Sequence, residues 1–237
     1  MTLYLHEAHS VRGASEEAFE AHYRDGWMAE LAAGDDARLL WYCHQAHGTG
    51  PAYRIITITA VRDGAAYGRL VERVATGDLR SWARDLDGMQ HDATGKVLVG
   101  LPWSPLGEVD LAAVPVDPTA EHELSLYMED TGWPHAPLDE YTKFWETVYL
   151  PMLHGDGRGR PKLLEITAVF QVAVSGGTRP EAILFQKVVS HEGLLRLLET
   201  ETPAALKQPG TFMHDALQLR DRWESRLLRT SAWSPLF

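Results

Sequence analysis

Carboxylate side chains stand inside short apolar segments of this sequence. Glu129, after "LSLYM", and Glu165, after "PKLL", lie in two predicted strands that we expect to be neighbours, so the two carboxylates could approach one another. Two carboxylates in one dry cavity drive their pKa values apart, and one can then hold a proton near neutral pH. Such a pair would serve general acid–base catalysis. The alternative is that both lie at a solvated edge or pair with arginine or lysine.

A second group of ionisable residues combines one carboxylate with two histidines. Glu7, His9 and His47 could cluster, and an imidazole titrates near neutrality, as an acid–base catalyst requires. The same three side chains would also make a plausible facial set for a metal. No spacing motif supports a metal, and we expect none. For His47, which precedes Gly48, a loop role is an equal alternative.

The elements that must position these residues occur twice. The tetrapeptide Trp-Ser-Pro-Leu appears at 103–106 and again at 233–236. With Glu7 placed over Glu129, aromatic residues spaced by four coincide in both copies, as they would on one face of a helix. The coinciding residues are Phe19, Tyr23 and Trp27 in the first copy and Tyr141, Trp145 and Tyr149 in the second. The chain is therefore a divergent tandem repeat.

Each copy predicts the element order β-α-β-β-α-β, the ferredoxin-like unit. In the first copy we expect strands at 2–9, 38–47, 53–62 and 96–101, with helices from Ser15 and from Gly64. In the second we expect strands at 123–130, 162–174 and 181–190, and a last strand at "LRTSAW". Helices are predicted over 137–153, from His191, and over a long segment around 204–228. The predicted units are 1–106 and 121–237, joined by a linker at 107–120.

One such unit covers only one face of its sheet, so two units can close a barrel by placing their open faces together. This arrangement resembles the dimeric α+β barrel superfamily, here within one chain. The repeated "WSPL" and the helix ending "VYLPML" resemble the NIPSNAP branch. The resemblance implies an α+β fold, tandem ferredoxin-like repeats that form an intrachain pseudo-dimer. Relatives include cyclases, isomerases, cofactor-free oxygenases and haem-binding enzymes, so function has to be argued from residues.

Strand alternation predicts which side chains enter the barrel. Alternate residues from Leu164 to Val172 form an apolar run, which we expect to pack on helices. The residues that alternate with this run then face inward, and the repeat extends the same assignment to the other strands. Its predicted catalytic groups are Glu7, His9, His47, Glu129 and Glu165. Its predicted substrate-binding residues are Trp41, Cys43, Gln45, Thr57, Thr59, Tyr127, Thr167, Gln171 and Gln186.

Composition restricts the partners. The formal charge of −11 argues against an electrostatic grip on nucleic acid or an anionic membrane. A single cysteine, Cys43, allows no intrachain disulfide and fits a reducing cytoplasm, and no secretion signal precedes the first strand. The glycine-rich "HGDGRGRP" at 154–161 follows a helix instead of opening one, so we expect a loop there and no phosphate site.

These features predict a cytoplasmic enzyme that applies carboxylate and histidine acid–base chemistry to a largely apolar metabolite, without a cofactor. Cyclase, isomerase, dehydratase and cofactor-free oxygenase activities remain open. One alternative is a haem-binding enzyme in which His191 or His214 ligates the iron. Another is a non-catalytic ligand-binding or assembly protein. Any homodimer is expected to use the outer surface, because the barrel already closes within the chain.

Overall fold

A computed structural model of the chain describes residues 1–153 and 162–237. It is an α+β structure in which antiparallel strands close into a single barrel. The strands are β1 (Leu3–Val11), β2 (Ala37–Gln45), β3 (Arg54–Val61), β4 (Gln90–Gly100), β5 (Leu126–Pro134), β6 (Leu164–Val174), β7 (Ala182–Val188) and β8 (Arg220–Thr230).

The strand order confirms the predicted tandem architecture. Around the barrel the order is β1-β3-β2-β8-β5-β7-β6-β4, and β4 pairs with β1 to close the ring. Each copy thus contributes four neighbouring strands, ordered β4-β1-β3-β2 in the first and β8-β5-β7-β6 in the second. The copies meet at two seams, where β2 pairs with β8 and β4 pairs with β6. The barrel is therefore an intrachain pseudo-dimer of ferredoxin-like units.

Helices pack on the outer face of each half of the sheet. Two of them are capped alike, since Asp63 and Ser190 each accept a hydrogen bond from the backbone N–H three residues on. None of the described helices is long and apolar enough to cross a bilayer. The helices are α1 (Glu16–His22), α2 (Met28–Ala33), α3 (Gly64–Ala75), α4 (Arg80–Met89), α5 (Leu138–Phe144), α6 (Leu150–Leu153), α7 (His191–Glu199) and α8 (Phe212–Asp215).

A wide helical turn interrupts the first helix of each copy at the same place. Tyr23–Trp27 forms a π-helical turn between α1 and α2, and Trp145–Tyr149 forms one between α5 and α6. Tyr23 and Trp145, which begin these turns, are buried against the sheet. Turns of this kind are often found at functional sites. The pair of turns therefore marks a candidate position for a site in each copy.

The long helix predicted around 204–228 is wrong. That segment holds a short 3₁₀ turn, α8 and then the eleven-residue strand β8. Along β8 the side chains alternate, with Leu227 packed on the helix side and Leu228 in the barrel core. The four Arg, two Leu and one Glu of β8 favour helix intrinsically, but pairing with β5 along the whole strand overrides that preference. β4 likewise begins at Gln90, before the predicted Lys96.

The barrel interior is a packed apolar core built by both copies. Aromatic rings meet there across the seams, with Tyr4 4.9 Å from Phe170 and Trp41 5.0 Å from Phe185 between ring centroids. Leu111 and Val114, in the segment 107–120 between the copies, also pack against this cluster. The boundaries of the two predicted units stay a prediction, and the loop predicted at 154–161 lies outside the described residues.

The repeated Trp-Ser-Pro-Leu segment of each copy forms hydrogen bonds with the other copy. The Ser104 hydroxyl accepts a hydrogen bond from the backbone N–H of Val169 at 2.9 Å, and the Ser234 hydroxyl accepts one from Tyr42 at 3.1 Å. Trp233 packs on the first copy's helix side, where its indole N–H donates to Glu20 at 2.7 Å. The motif occurs twice because the barrel has two seams, and one copy of the motif crosses each.

Candidate functional site

The polar side chains of β1 lie on the opposite face of the sheet from the one predicted for them. Tyr4 and Ala8 belong to the interior core, so His6 between them points inward as well. Glu7 and His9 instead face the helices and line a cavity there. Their predicted inward orientation is wrong because the prediction used an offset of 122 residues between the copies. In the structure Tyr4 corresponds to Tyr127, an offset of 123: Tyr4 pairs with Ala60 in β3, and Tyr127 pairs with Lys187 in β7. A slip of one residue exchanges the faces of a strand.

The third strands share this reversal. Ile56, Ile58 and Ala60 fill the interior, so Thr57 and Thr59 point towards the helices of the first copy. In the second copy Gln186 also lies on the helix side, where it bonds Tyr149. Their predicted places inside the barrel are therefore wrong.

The second strands contain a bulge in each copy. The register shifts between Leu39 and Trp41 in β2 and between Ile166 and Ala168 in β6. Because of the bulge in β6, the apolar run predicted to face the helices crosses the sheet, and its later members lie in the interior. Trp41 and Cys43 face the barrel core as predicted. Glu165 and Thr167 line a second cavity, and Gln171, also predicted to point inward, pairs with the helix-facing Ala182.

The barrel interior does not bring the two predicted carboxylates together. Glu129 is buried and its Oε2 lies 2.7 Å from Nε2 of His6, with Arg226 at 3.5 Å from its other oxygen. Burial alone would raise the pKa of Glu129, but His6, Arg226 and Lys96 together outweigh it and hold that pKa below its usual range. Glu165 is largely exposed and pairs with Lys162. Burial also raises the pKa of the Cys43 thiol, so it stays protonated.

A cavity of about 570 Å³ lies between the sheet and the helices of the first copy. Its walls are mostly apolar, from α2, α3 and α4, and three predicted site residues, Glu7, His9 and Thr59, form part of its floor. Tyr23 and Trp27, the first and last residues of the π-helical turn, line it as well. A largely apolar cavity with a few convergent polar groups is the usual form of a small-molecule site.

His9 has hydrogen-bond partners at both of its ring nitrogens in this cavity. Its Nδ1 lies 2.9 Å from Oε1 of Gln90, whose amide nitrogen donates to Asp87 at 3.0 Å. Because the Gln90 oxygen can only accept, Nδ1 carries the proton and Nε2 has a free lone pair. The Tyr23 hydroxyl lies 3.2 Å from Nε2, and Thr57 lies 3.4 Å from it. Gln90 thus selects the tautomer of His9 whose acceptor nitrogen, Nε2, lies towards Tyr23.

Tyr23 remains a proton donor in this arrangement. Complete burial, together with the nearby charge of Glu7, raises its pKa well above the ordinary tyrosine value. The phenol therefore stays protonated at neutral pH and can donate a hydrogen bond to an oxyanion. Phe19 packs against His9 at 5.3 Å between ring centroids and holds the imidazole from the opposite side. Together these groups can take a proton from a bound molecule and stabilise the negative oxygen that results.

The second copy fills the equivalent space. Gly132 stands where the first copy has His9, and a Cβ at Gly132 would collide with the Tyr141 hydroxyl. Tyr149 packs on Phe212 at 4.6 Å, and Trp145 meets Trp223 edge-on at 6.1 Å. Aromatic side chains thus occupy the region that is open in the first copy. The histidine belongs to the first half of the pseudo-dimer, as do all but two of the residues that line the cavity, Val174 and Ser175.

The remaining predicted residues do not join this site. Gln45 ends β2, and His47 is exposed in the turn after it, so the facial set with Glu7 and His9 does not form. Among the described residues no group of three or more His, Cys, Asp or Glu side chains is arranged for a metal. Of the histidines considered for haem, His191 is exposed at the start of α7 and His214 contacts Asp215 at 2.9 Å. Neither lines a described cavity.

Three members of the site were not predicted from the sequence. Tyr23 was expected only to pack, although a buried hydroxyl within an aromatic stripe needs a partner and was the available signal. Gln90 and Asp87 lie in the segment 79–90, which was expected to be helical, and no face was assigned to that segment; Asp87 is in α4, whereas Gln90 begins β4.

Comparisons with known proteins agree with this fold. An anthrone oxidase-like protein superposes with a TM-score of 0.60 at 10% identity, over 99% of this chain and 95% of the other. A haem complex of a DypB variant from Rhodococcus jostii RHA1 gives a TM-score of 0.52 at 10% identity, over 97% of this chain and 93% of the other. A NIPSNAP family protein from Agrobacterium tumefaciens matches 45% of this chain and 99% of its own, at 15% identity and a TM-score of 0.39.

No protein-family model matches the sequence, and no curated protein is significantly similar to it. The structural likenesses, all at low identity, concern the fold. The chain has the dimeric α+β barrel fold, with both halves of the barrel in one polypeptide.

Proposed function

We propose that this chain is a cofactor-independent enzyme that moves a proton on a small, largely apolar molecule held in the first-copy cavity. The observation that carries the proposal is the fixed tautomer of His9, with Nδ1 bonded to Gln90 and Nε2 beside the Tyr23 hydroxyl. A base oriented by a second group and placed in an apolar cavity is the arrangement that general base catalysis requires.

In the proposed reaction an O–H, or an acidic C–H next to a carbonyl, lies against Nε2 of His9. Nε2 takes the proton, and the Gln90 oxygen stabilises the resulting imidazolium through Nδ1–H. The Tyr23 hydroxyl, released from the imidazole, donates to the oxyanion of the substrate. Glu7 favours the protonated form of Tyr23 throughout. His9 and Tyr23 are themselves buried, and the low local dielectric strengthens each of these electrostatic contacts.

The anion formed in this way is common to isomerisation, cyclisation, dehydration and cofactor-free oxygenation. The residues alone therefore define proton abstraction and leave the following step open. The likeness to an anthrone oxidase-like protein suggests anthrone as a first probe, because it is an aromatic ketone with an acidic C–H.

Replacement of the base tests the proposal. His9→Gln should lower turnover of anthrone, or of whichever phenol or ketone in a panel is turned over, by about 10²–10⁴-fold. His91→Gln is the matched control, since His91 is exposed next to Gln90. Equal rates for wild type and His9→Gln would contradict the assignment. Tight binding without turnover would favour the alternative of a non-catalytic ligand-binding protein.

Haem binding is the second candidate, favoured by the haem complex among the similar structures. The two histidines expected to ligate iron do not fit that role, since neither faces a described cavity. The absorbance spectrum of protein produced with added haem distinguishes the two proposals. A Soret band that survives gel filtration would support haem binding, and a colourless protein would leave the acid–base proposal.

A further inference from the structure

Glu7 lies in the floor of the His9 cavity with a carboxylate that the protein leaves unpaired. It projects from the same face of β1 as His9 and lines the cavity with it. A Cβ built on Gly95 would lie 4.0 Å from the Glu7 Cγ, so the Glu7 side chain runs over the bare backbone of β4. The two histidines that flank Glu7 in β1, His6 and His9, both have side-chain partners, whereas no described residue donates a hydrogen bond to the Glu7 carboxylate.

The second copy shows how the protein treats a carboxylate that it keeps for itself. Asp130 is the counterpart of Glu7, since Glu7 pairs with Gly95 in β4 as Asp130 pairs with Ser225 in β8. The Ser225 hydroxyl and the Gln186 amide both donate to the Asp130 carboxylate. Gly95 has no side chain with which to donate. The equivalent carboxylate of the first copy therefore lacks a donor that the second copy supplies from its own sheet.

The space above Glu7 is continuous with the space above His9. Small residues of β4 pair with both, Gly95 with Glu7 and Ala93 with His9, and all four residues line the cavity. Residues two apart on one face of a strand lie about 7 Å from each other. That separation suits the two ends of a para-substituted ring. One small molecule can therefore contact His9 and Glu7 together.

The charges around the cavity favour a cation near Glu7. Asp87 is the other carboxylate among the described lining residues, and it already accepts a hydrogen bond from Gln90. Lys96 is the one lysine or arginine among those residues, and its ammonium group pairs with Glu181. A carboxylate among mostly apolar walls is stabilised best by an opposite charge, because a neutral donor leaves the charge uncompensated.

We propose that Glu7 selects the substrate of the His9 site, and that this substrate is a small aromatic ring with a protonated amine at the end opposite its reacting group. The ammonium group donates to the Glu7 carboxylate while the acidic O–H or C–H lies against Nε2 of His9. The inference rests on the proposed function for the end of the ligand that meets His9. The amine end rests on Glu7 alone.

Three phenols of matched size test the proposal. 4-(Aminomethyl)phenol carries a cation at pH 7, 4-(hydroxymethyl)phenol a neutral donor and 4-hydroxybenzoate an anion, and isothermal titration calorimetry measures the Kd of each. We expect the amine to bind about tenfold more tightly than the alcohol, and the anion to bind most weakly. Glu7→Gln should remove this preference. Glu17→Gln is the control, because Glu17 is an exposed carboxylate of the same copy that does not line the cavity.

Binding and turnover separate this inference from the proposed function. His9→Gln should lower turnover and keep the preference for the amine, because Glu7 is unchanged. If His9→Gln turns over normally while Glu7→Gln loses the preference, the proposed function fails and the role of Glu7 stands. If the amine does not bind, binds no more tightly than the alcohol, or keeps its preference in Glu7→Gln, selection by Glu7 is wrong whatever the result for His9.

Discussion

Glu129 and Asp130 are neighbours in β5, and the sheet gives them opposite environments. Glu129 points inward to His6, which together with Arg226 and Lys96 keeps its pKa low against the effect of burial. Asp130 points to the helices, where neutral Gln186 and Ser225 donate to it. Burial outweighs these two bonds and raises the pKa of Asp130 from 3.8 to about 6. The partners of each carboxylate, and not its place in the sequence, decide its protonation.

This raised pKa predicts a loss of stability as the pH increases. Below pH 4 Asp130 is protonated in both states, whereas between pH 4 and 6 only the folded state keeps the proton. The free energy of unfolding should therefore fall over that range, by about 3 kcal/mol at most. Asp130→Asn should remove this fall, because an amide can still bond Gln186 and Ser225. Urea unfolding at several pH values measures it.

Asp92→Asn is the control for that experiment, since Asp92 is exposed. The quantity to compare is the difference between variant and wild type at each pH, because other groups titrate in both proteins. A difference that stays constant from pH 4 to pH 8 would show that Asp130 is not the group responsible.

At the scale of elements, the sequence was sufficient for the order and type of most strands and helices. The aromatic residues spaced by four placed the first helix of each copy, and the repeat supplied the barrel. The faces of the strands could not be predicted as well. One gap between the copies, placed one residue wrongly, moved Glu7 and His9 to the other face of β1. The bulges in β2 and β6 leave no clear signal in composition, and each shifts the register by one residue.

The equivalent serines of the repeated motif should contribute equally to stability. Ser104→Ala and Ser234→Ala each leave a buried backbone N–H, of Val169 or Tyr42, without its acceptor. Each should lower the free energy of unfolding by about 1–3 kcal/mol. Chemical denaturation checks this, with the exposed Ser81→Ala as the control. A cost confined to one of the two serines would mean that the two seams are not equivalent.

At the scale of the whole molecule, fusion has allowed the two halves to diverge. The first half holds His9 beside an open cavity, whereas the second has Gly132 and a filled aromatic cluster. Two separate identical chains would have to keep both sites alike. In a single chain both halves still close the barrel, while only the first half carries the polar site.

Closure within one chain predicts that folding does not depend on association. Every barrel strand has a neighbour on both sides from the same chain, so a 26.5 kDa monomer satisfies the sheet. The midpoint of thermal unfolding should therefore be independent of protein concentration. Scans over a hundredfold range of concentration measure this, and a midpoint that rises with concentration would show that a dimer contributes to stability.

A crystal structure with anthrone, or with another compound that the protein turns over, tests the central claim most directly. We expect the ligand between the sheet and helices of the first copy, with its reacting oxygen or carbon near Nε2 of His9. A ligand oxygen should lie within about 3.2 Å of the Tyr23 hydroxyl, the range of a hydrogen bond. A ligand bound only in the second copy, or at the Trp-Ser-Pro-Leu segments, with His9 still bonded to Tyr23, would contradict the assignment of His9 as the base.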